Sequence, residues 1–130
     1  MKNLIDLEKK INSELTTKIN SSKMNHNQLY IEIDSKDLLD VILFLKTNKD
    51  TKFRQLIDIT AVDYPEKSKR FKLVYLFLSH EFNQRILVNY FVNENEVVST
   101  LTKIFPSANW MEREVFDMYG VKFKDHPDLR

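Results

Sequence analysis

Cysteine is absent from the chain, which removes disulfides, thiolate-bound zinc, cysteine-ligated iron–sulfur clusters and cysteine nucleophiles from consideration. Glycine occurs once, as Gly120. Phosphate cradles and dinucleotide fingerprints need several glycines in one loop, so nucleotide, flavin and nicotinamide binding by the usual routes are excluded. An excess of either charge is missing too: 20 Lys and Arg oppose 19 Asp and Glu, leaving +1 over 130 residues. A dedicated nucleic-acid binder concentrates Lys and Arg on one face, and nothing here points to one. No apolar run reaches membrane-spanning length, and the densest stretch, Leu38 to Leu45, is interrupted by Asp40. The N-terminus, MKNLIDLEKK, carries Asp6 and Glu8 and no signal-peptide core, so neither secretion nor an organelle transit sequence is expected.

What is present suits one packed domain. Hydrophobic residues at 42% and charged residues at 30% favour a core over disorder, and 130 residues can bury roughly two thirds of the unfolded surface. Leu4, Leu7, Ile11, Leu15 and Ile19 recur at helical steps, predicting an amphipathic helix over 4–19. The segment SSKMNHNQ, 21–28, has no period and reads as a loop. LYIEI, 29–33, alternates as a strand does, after which Asp34 or Ser35 supplies an N-cap for the helix DLLDVILFLK. FRQLIDITAVDYP, 53–65, reads as a strand ended by Pro65, with Asp63 forming a turn. RFKLVYLFLS and RILVNYFV, 70–79 and 85–92, form an antiparallel hairpin. The first of these is apolar on both faces from Leu73 to Leu78, so a layer from this chain or from a partner should cover each. VVSTLTKIF, 97–105, is a short helical pattern stopped at Pro106. The expected class is α+β: two layers, a mixed or largely antiparallel sheet of about four or five strands, helices on one side, in the order α-β-α-β-β-β-α-α. Residues 1–122 make the domain, and 123–130 begin a C-terminal partner-binding extension.

The stretch WMEREVFDMYG, 110–120, carries the most information. Asn109 stands three residues ahead of Glu112, the spacing of a capping box, and Gly120 falls where a helix needs a left-handed residue, with Val121 closing on Phe116 in a Schellman arrangement. Glu112, Glu114 and Asp117 are acids of the kind that do acid–base chemistry. On a helix, however, Glu112 and Glu114 lie about 200° apart and cannot converge on one small substrate. The first-turn acids complement the helix dipole instead, and Arg113 pairs with Asp117 one turn on. Trp110, Met111, Val115, Phe116, Met118 and Tyr119 project nearly all round the axis, as on a helix that touches its own sheet on one side and another protein on the other. His26, His80 and His126 fall in three separate loops and read as solvated, without metal-ligand spacing.

ANWMEREVFDMYGVKF followed by HPDLR, with LIDITAVDYP and RFKLVYLFLS upstream, resembles the 30-kDa subunit of respiratory NADH:quinone oxidoreductase, the C subunit of the bacterial complex and number 9 when encoded in mitochondria. The resemblance runs from about Phe53 to Arg130. It implies a non-catalytic structural subunit of the complex's peripheral arm, with no cofactor of its own. Flavin and iron–sulfur clusters then belong to partner subunits, and the chain packs against the quinone-site (49-kDa type) subunit on the cytoplasmic side of a bacterial inner membrane or the matrix side of a mitochondrial one. The positions it implies for interface and positioning roles are Trp110, Glu112, Arg113, Glu114, Asp117, Tyr119, Gly120, His126, Pro127, Asp128 and Arg130, with no catalytic, cofactor or metal residue. Family members continue past HPDLR with a basic, aromatic-containing extension, so a chain ending at Arg130 is expected to be an excised globular portion or a short member. The rival readings are the equivalent subunit of a membrane-bound hydrogenase or deazaflavin-dependent dehydrogenase, and a free-standing enzyme.

Overall fold

The computed structural model describes residues 3–128. Helix α1, Leu4–Glu14, is capped by Asn3, whose Oδ1 accepts from the Asp6 amide at 2.8 Å. It ends five residues before the expected Ile19. The chain then enters β1, Ile19–Asn25, and β2, Gln28–Ile33, although the pattern of 21–28 predicts a loop. β1 shows no hydrophobic alternation because it is a solvent-facing edge strand held to β2 by main-chain pairing. His26 and Asn27 both take positive φ, 51° and 61°, as a two-residue turn between twisted strands requires.

A single turn of 3₁₀ helix, Ser35–Asp37, leads into α2, Leu38–Thr47, and neither Asp34 nor Ser35 caps it. Their side chains are engaged elsewhere, Asp34 with Asn20 at 2.9 Å and Ser35 with Glu96 at 2.5 Å. Strands β3, Gln55–Asp63, β4, Phe71–Ser79, and β5, Gln84–Val92, follow the expected pattern. Asp63 does more than turn the chain. Its carboxylate takes both arms of Arg70, at 2.6 and 2.8 Å, closing the base of the β3–β4 connection. The 97–105 segment is not a helix: Val97–Ser99 form β6, and only one turn closes afterwards, the Phe105 amide bonding to the Leu101 carbonyl at 2.8 Å, before Pro106. Helix α3, Ala108–Tyr119, and β7, Lys122–Lys124, complete the chain.

The main sheet is mixed, in the order β1-β2-β5-β4-β3, with β2 and β5 parallel and the other pairs antiparallel. β6 and β7 form a separate two-stranded parallel ribbon. One sheet face, built from Leu29, Ile31, Leu73, Tyr75, Phe77, Ile86, Val88 and Tyr90, is fully buried against Leu7 and Ile11 of α1, Val41, Ile42 and Leu45 of α2, and Met111 and Val115 of α3. Each such aliphatic side chain contributes roughly 1.5–3 kcal/mol on burial, so this layer supplies most of the driving force. Two buried hydroxyls within it, Tyr75 and Tyr90, bond each other at 2.6 Å. On the other face Val74, Leu76 and Leu78 stand only half-buried. All three helices join the first face, so no second layer covers these side chains among the described residues.

Candidate functional site

The site is built where α3, the turn after β6 and the segment after β7 meet. α3 begins two residues earlier than a capping box at Asn109 requires. Ser107 precedes it without a side-chain cap, and the first amides are taken by main-chain carbonyls, Ala108 by Phe105 at 2.9 Å and Asn109 by Pro106 at 3.1 Å. That moves Glu112 out of the first turn and onto the inner face, where it is 0% exposed. No acid remains in the first turn. The Glu112 carboxylate accepts from the Thr100 hydroxyl at 2.6 Å and from the Leu101 amide at 2.8 Å. It thus satisfies a buried backbone donor at the point where the chain leaves β6. Burial pushes the Glu112 carboxyl above its ordinary range, and the Leu101 and Thr100 donors pull it partly back.

His126, expected to be solvated, is 5% exposed and completes the cluster. Its Nε2–H donates to the Asn109 carbonyl at 2.8 Å, and its Nδ1 accepts from the Asp128 amide at 3.0 Å. This pattern fits the neutral ring protonated on Nε2, because a proton on Nδ1 would oppose the Asp128 N–H. Glu112 Oε1 lies 3.9 Å from Nε2, too far for a hydrogen bond. The imidazole is therefore a strap: it ties the segment after β7 to the first turn of α3, while Glu112 ties the same helix to the turn after β6. Phe123 is buried and the β6–β7 ribbon closes the loop, so the side chains of Phe123 and His126 pack into the core while Lys124 and Asp125 stay exposed. The polar atoms of the cluster bond to one another, and among the described residues no three His, Asp or Glu side chains gather as a metal site would need.

The opposite face of α3 is a single stripe. Trp110, Arg113, Glu114, Asp117 and Met118 are spaced one turn apart and all are exposed, Trp110 by 52% and Met118 by 73%. Glu112 and Glu114 diverge as helical geometry requires, the first buried and the second in solvent. The expected Arg113–Asp117 ion pair is not formed among the described residues, which leaves both charges and their neighbour Glu114 facing outward. Tyr119 turns inward, its ring edge-on to Phe71 at 5.9 Å between centroids. Gly120 ends the helix at φ 75°, and its amide bonds to the Phe116 carbonyl at 2.8 Å. This is the simpler left-handed cap and not the Schellman pair, since Val121 makes no return bond and buries into the core. Pro127 and Asp128 are exposed beside the strap, and Arg130 lies outside the described residues.

Residues 31–130, which include the whole of this site, match the family described as respiratory-chain NADH dehydrogenase, 30 Kd subunit. The chain belongs to that family. The NADH-quinone oxidoreductase C subunit of Ruegeria pomeroyi is 48% identical over 103 residues, 79% of this chain and 52% of that protein. Its counterpart in Rhodospirillum rubrum is 39% identical over 130 residues, all of this chain and 61% of that protein. The chain thus spans between about half and two thirds of the length of such relatives. In three dimensions it is similar to a trypsin-resistant fragment (1-134) of Nqo5, with TM-score 0.78, 26% identity, and 95% and 98% of the two chains covered. A chain of the membrane-bound sulfane sulfur reductase, an archaeal respiratory membrane complex, shares the fold at TM-score 0.84 and 23% identity, with 97% of this chain and 73% of that one covered.

Within the 30-kDa family fold the acidic helix motif and the HPD segment, which look unrelated in the linear sequence, become two ends of one clamp. Two members of that clamp carry no signal of their own. Thr100 and the Leu101 amide sit in a segment whose pattern is helical, and only the pairing of β6 with β7 turns them toward Glu112. The Asp63–Arg70 pair is a different case, because an acid and an arginine bracketing a short polar connection are a usable signal in the sequence itself. No helix among the described residues is long and apolar enough to cross a membrane.

Proposed function

We propose that this chain is a non-catalytic, positioning subunit of the peripheral arm of a proton-translocating NADH:quinone oxidoreductase, and that the outer stripe of α3 engages the quinone-site subunit. The observation that carries the reading is the division of labour on α3. Its inner acid is consumed in bracing the turn after β6, while its outer face presents Trp110, Met118 and Arg113, a composition enriched at protein interfaces. The open sheet face with Val74, Leu76 and Leu78 gives further support, because apolar side chains in a row on an uncovered face suit burial by another subunit. On this reading the flavin and iron–sulfur clusters sit in partner subunits, and the chain is held through its partners on the cytoplasmic side of a bacterial membrane or the matrix side of a mitochondrial one. The two bacterial relatives, at 48% and 39% identity, are C subunits of NADH-quinone oxidoreductases, which favours that complex over a hydrogenase or deazaflavin-dependent relative.

The test is the double substitution Trp110→Ala with Arg113→Ala. Both side chains are exposed, so the purified variant keeps its unfolding midpoint, while fully assembled complex on a native gel falls severalfold. Normal assembly with normal NADH:quinone activity overturns the interface. Turnover by the isolated chain overturns the non-catalytic reading.

A further inference from the structure

A groove of about 330 Å³ runs between α2 and the β6–β7 ribbon, apart from the outer stripe of α3. Its apolar wall is Leu39 and Leu43, one turn apart on α2 and 37% and 44% exposed, with Ile104 opposite them. Lys103 and Lys124 line its rim, and Lys122 lies on the same side of β7 as Lys124, two residues back along the strand. None of these three lysines has an ion-pair partner among the described residues. Lys46, by contrast, is already engaged: its ammonium donates to the Ile104 carbonyl at 2.7 Å and lies over the Phe105 ring. Asp125 is the one acidic side chain lining the groove. On a chain whose total charge is only +1, three lysines against one aspartate beside an apolar trough form a local positive field that the composition does not reveal.

We infer that this groove docks an acidic, amphipathic segment of a neighbouring subunit, its apolar side chains on Leu39, Leu43 and Ile104 and its carboxylates toward Lys103, Lys122 and Lys124. The inference rests on the reading of the chain as a subunit of an assembly, and it adds a second contact whose chemistry differs from that of the α3 stripe. Apolar burial supplies the attraction, and the lysine rim selects the partner and sets its register, because rim charges govern encounter and specificity more than final affinity. Basic and neutral segments leave the lysines unopposed and are discriminated against. The contact also bears on the clamp. Thr100, which holds Glu112, lines the same groove, so an occupant presses on the turn that the buried carboxylate braces.

Photocrosslinking within the assembled complex tests this. A benzophenone amino acid replaces Leu43 in one preparation and Trp110 in another, each chain being co-expressed with the other subunits of the complex, and the adducts are mapped by mass spectrometry. The Leu43 probe is expected to mark, on a different subunit, a segment in which Asp or Glu flank apolar residues. The combined Lys103→Glu, Lys122→Glu and Lys124→Glu variant should lower that adduct about tenfold while leaving the Trp110 adduct in place, and raised salt should act in the same direction. Adducts on a second copy of this chain, on lipid, or on a Lys- or Arg-rich segment overturn the inference. So does silence at Leu43 when Trp110 reacts. Silence at both positions overturns it together with the subunit reading.

Discussion

Glu112 is a carboxyl group enclosed by the core, with one hydroxyl and one amide for neighbours at bonding distance and no cation. Burial raises its pKa from the ordinary 4.5. The folded chain therefore keeps the proton over a pH range in which the unfolded chain has released it. The stability this contributes is complete below 4.5 and is lost as pH rises through the folded-state value. Glu112→Gln holds the neutral form permanently and should flatten that decline. Asp63 and Glu81, whose pKa values are lowered by Arg70 and Lys52, titrate in both proteins, so the difference between wild-type and variant urea midpoints across acid to neutral pH reports Glu112 together with its coupling to the His126 ring 3.9 Å away. Parallel curves would show that the carboxyl titrates alike in the folded and unfolded chains, so that burial does not shift it. His126 differs in kind: its two ring nitrogens are committed to main-chain partners on either side, which makes it a tie between segments.

Among the elements, α3 is the most legible at its C-terminal end and the least at its N-terminal end. A lone glycine after a run of large side chains has few explanations, and a left-handed residue at a helix end is the commonest of them. Adding a Cβ at Gly120 meets nothing within 4 Å, so Gly120→Ala should cost about 1 kcal/mol from backbone conformation alone. Gly120→Asn should cost less, since Asn tolerates the left-handed region. Equal urea midpoints for wild type and the Ala variant would mean that the helix end shifts to relieve the strain. The capping box does not form because Phe105 and Pro106 already supply the carbonyls that the first amides need. β1 and β6 depart from their sequence patterns for a shared reason. Each is short or polar and owes its conformation to a neighbouring strand, so its own side chains carry little of the signal.

Across the whole molecule, stability follows the position of each strand. β4 and β5 lie inside the sheet, are paired on both sides and bear Leu73, Tyr75, Phe77, Ile86, Val88 and Tyr90 on the covered face. β1 is an edge strand with mostly exposed side chains. Amide hydrogen exchange of the isolated domain should accordingly be slowest in 73–77 and 86–90 and fastest, among strands, in 19–25. Protection of β1 equal to that of β5 would mean that the sheet opens only as one unit. Bound into a complex, β4 and β5 should change little, whereas the outer stripe of α3 should gain protection.

Hydrophobic period and a single glycine suffice to place strands β2 to β5, the start of α1, helix α2 and the end of α3, because these are local signals that neighbouring residues cannot cancel. The acidic motif and the HPD segment likewise carry the family without any structure. Packing settles the rest: that Glu112 faces inward and Glu114 outward, that His126 is a buried strap, and that two lysines distant in sequence, Lys103 and Lys124, line one groove. Those outcomes depend on β6 pairing with β7 across the whole of α3, a contact between segments more than twenty residues apart, and no local period records which distant strand a short ribbon will find.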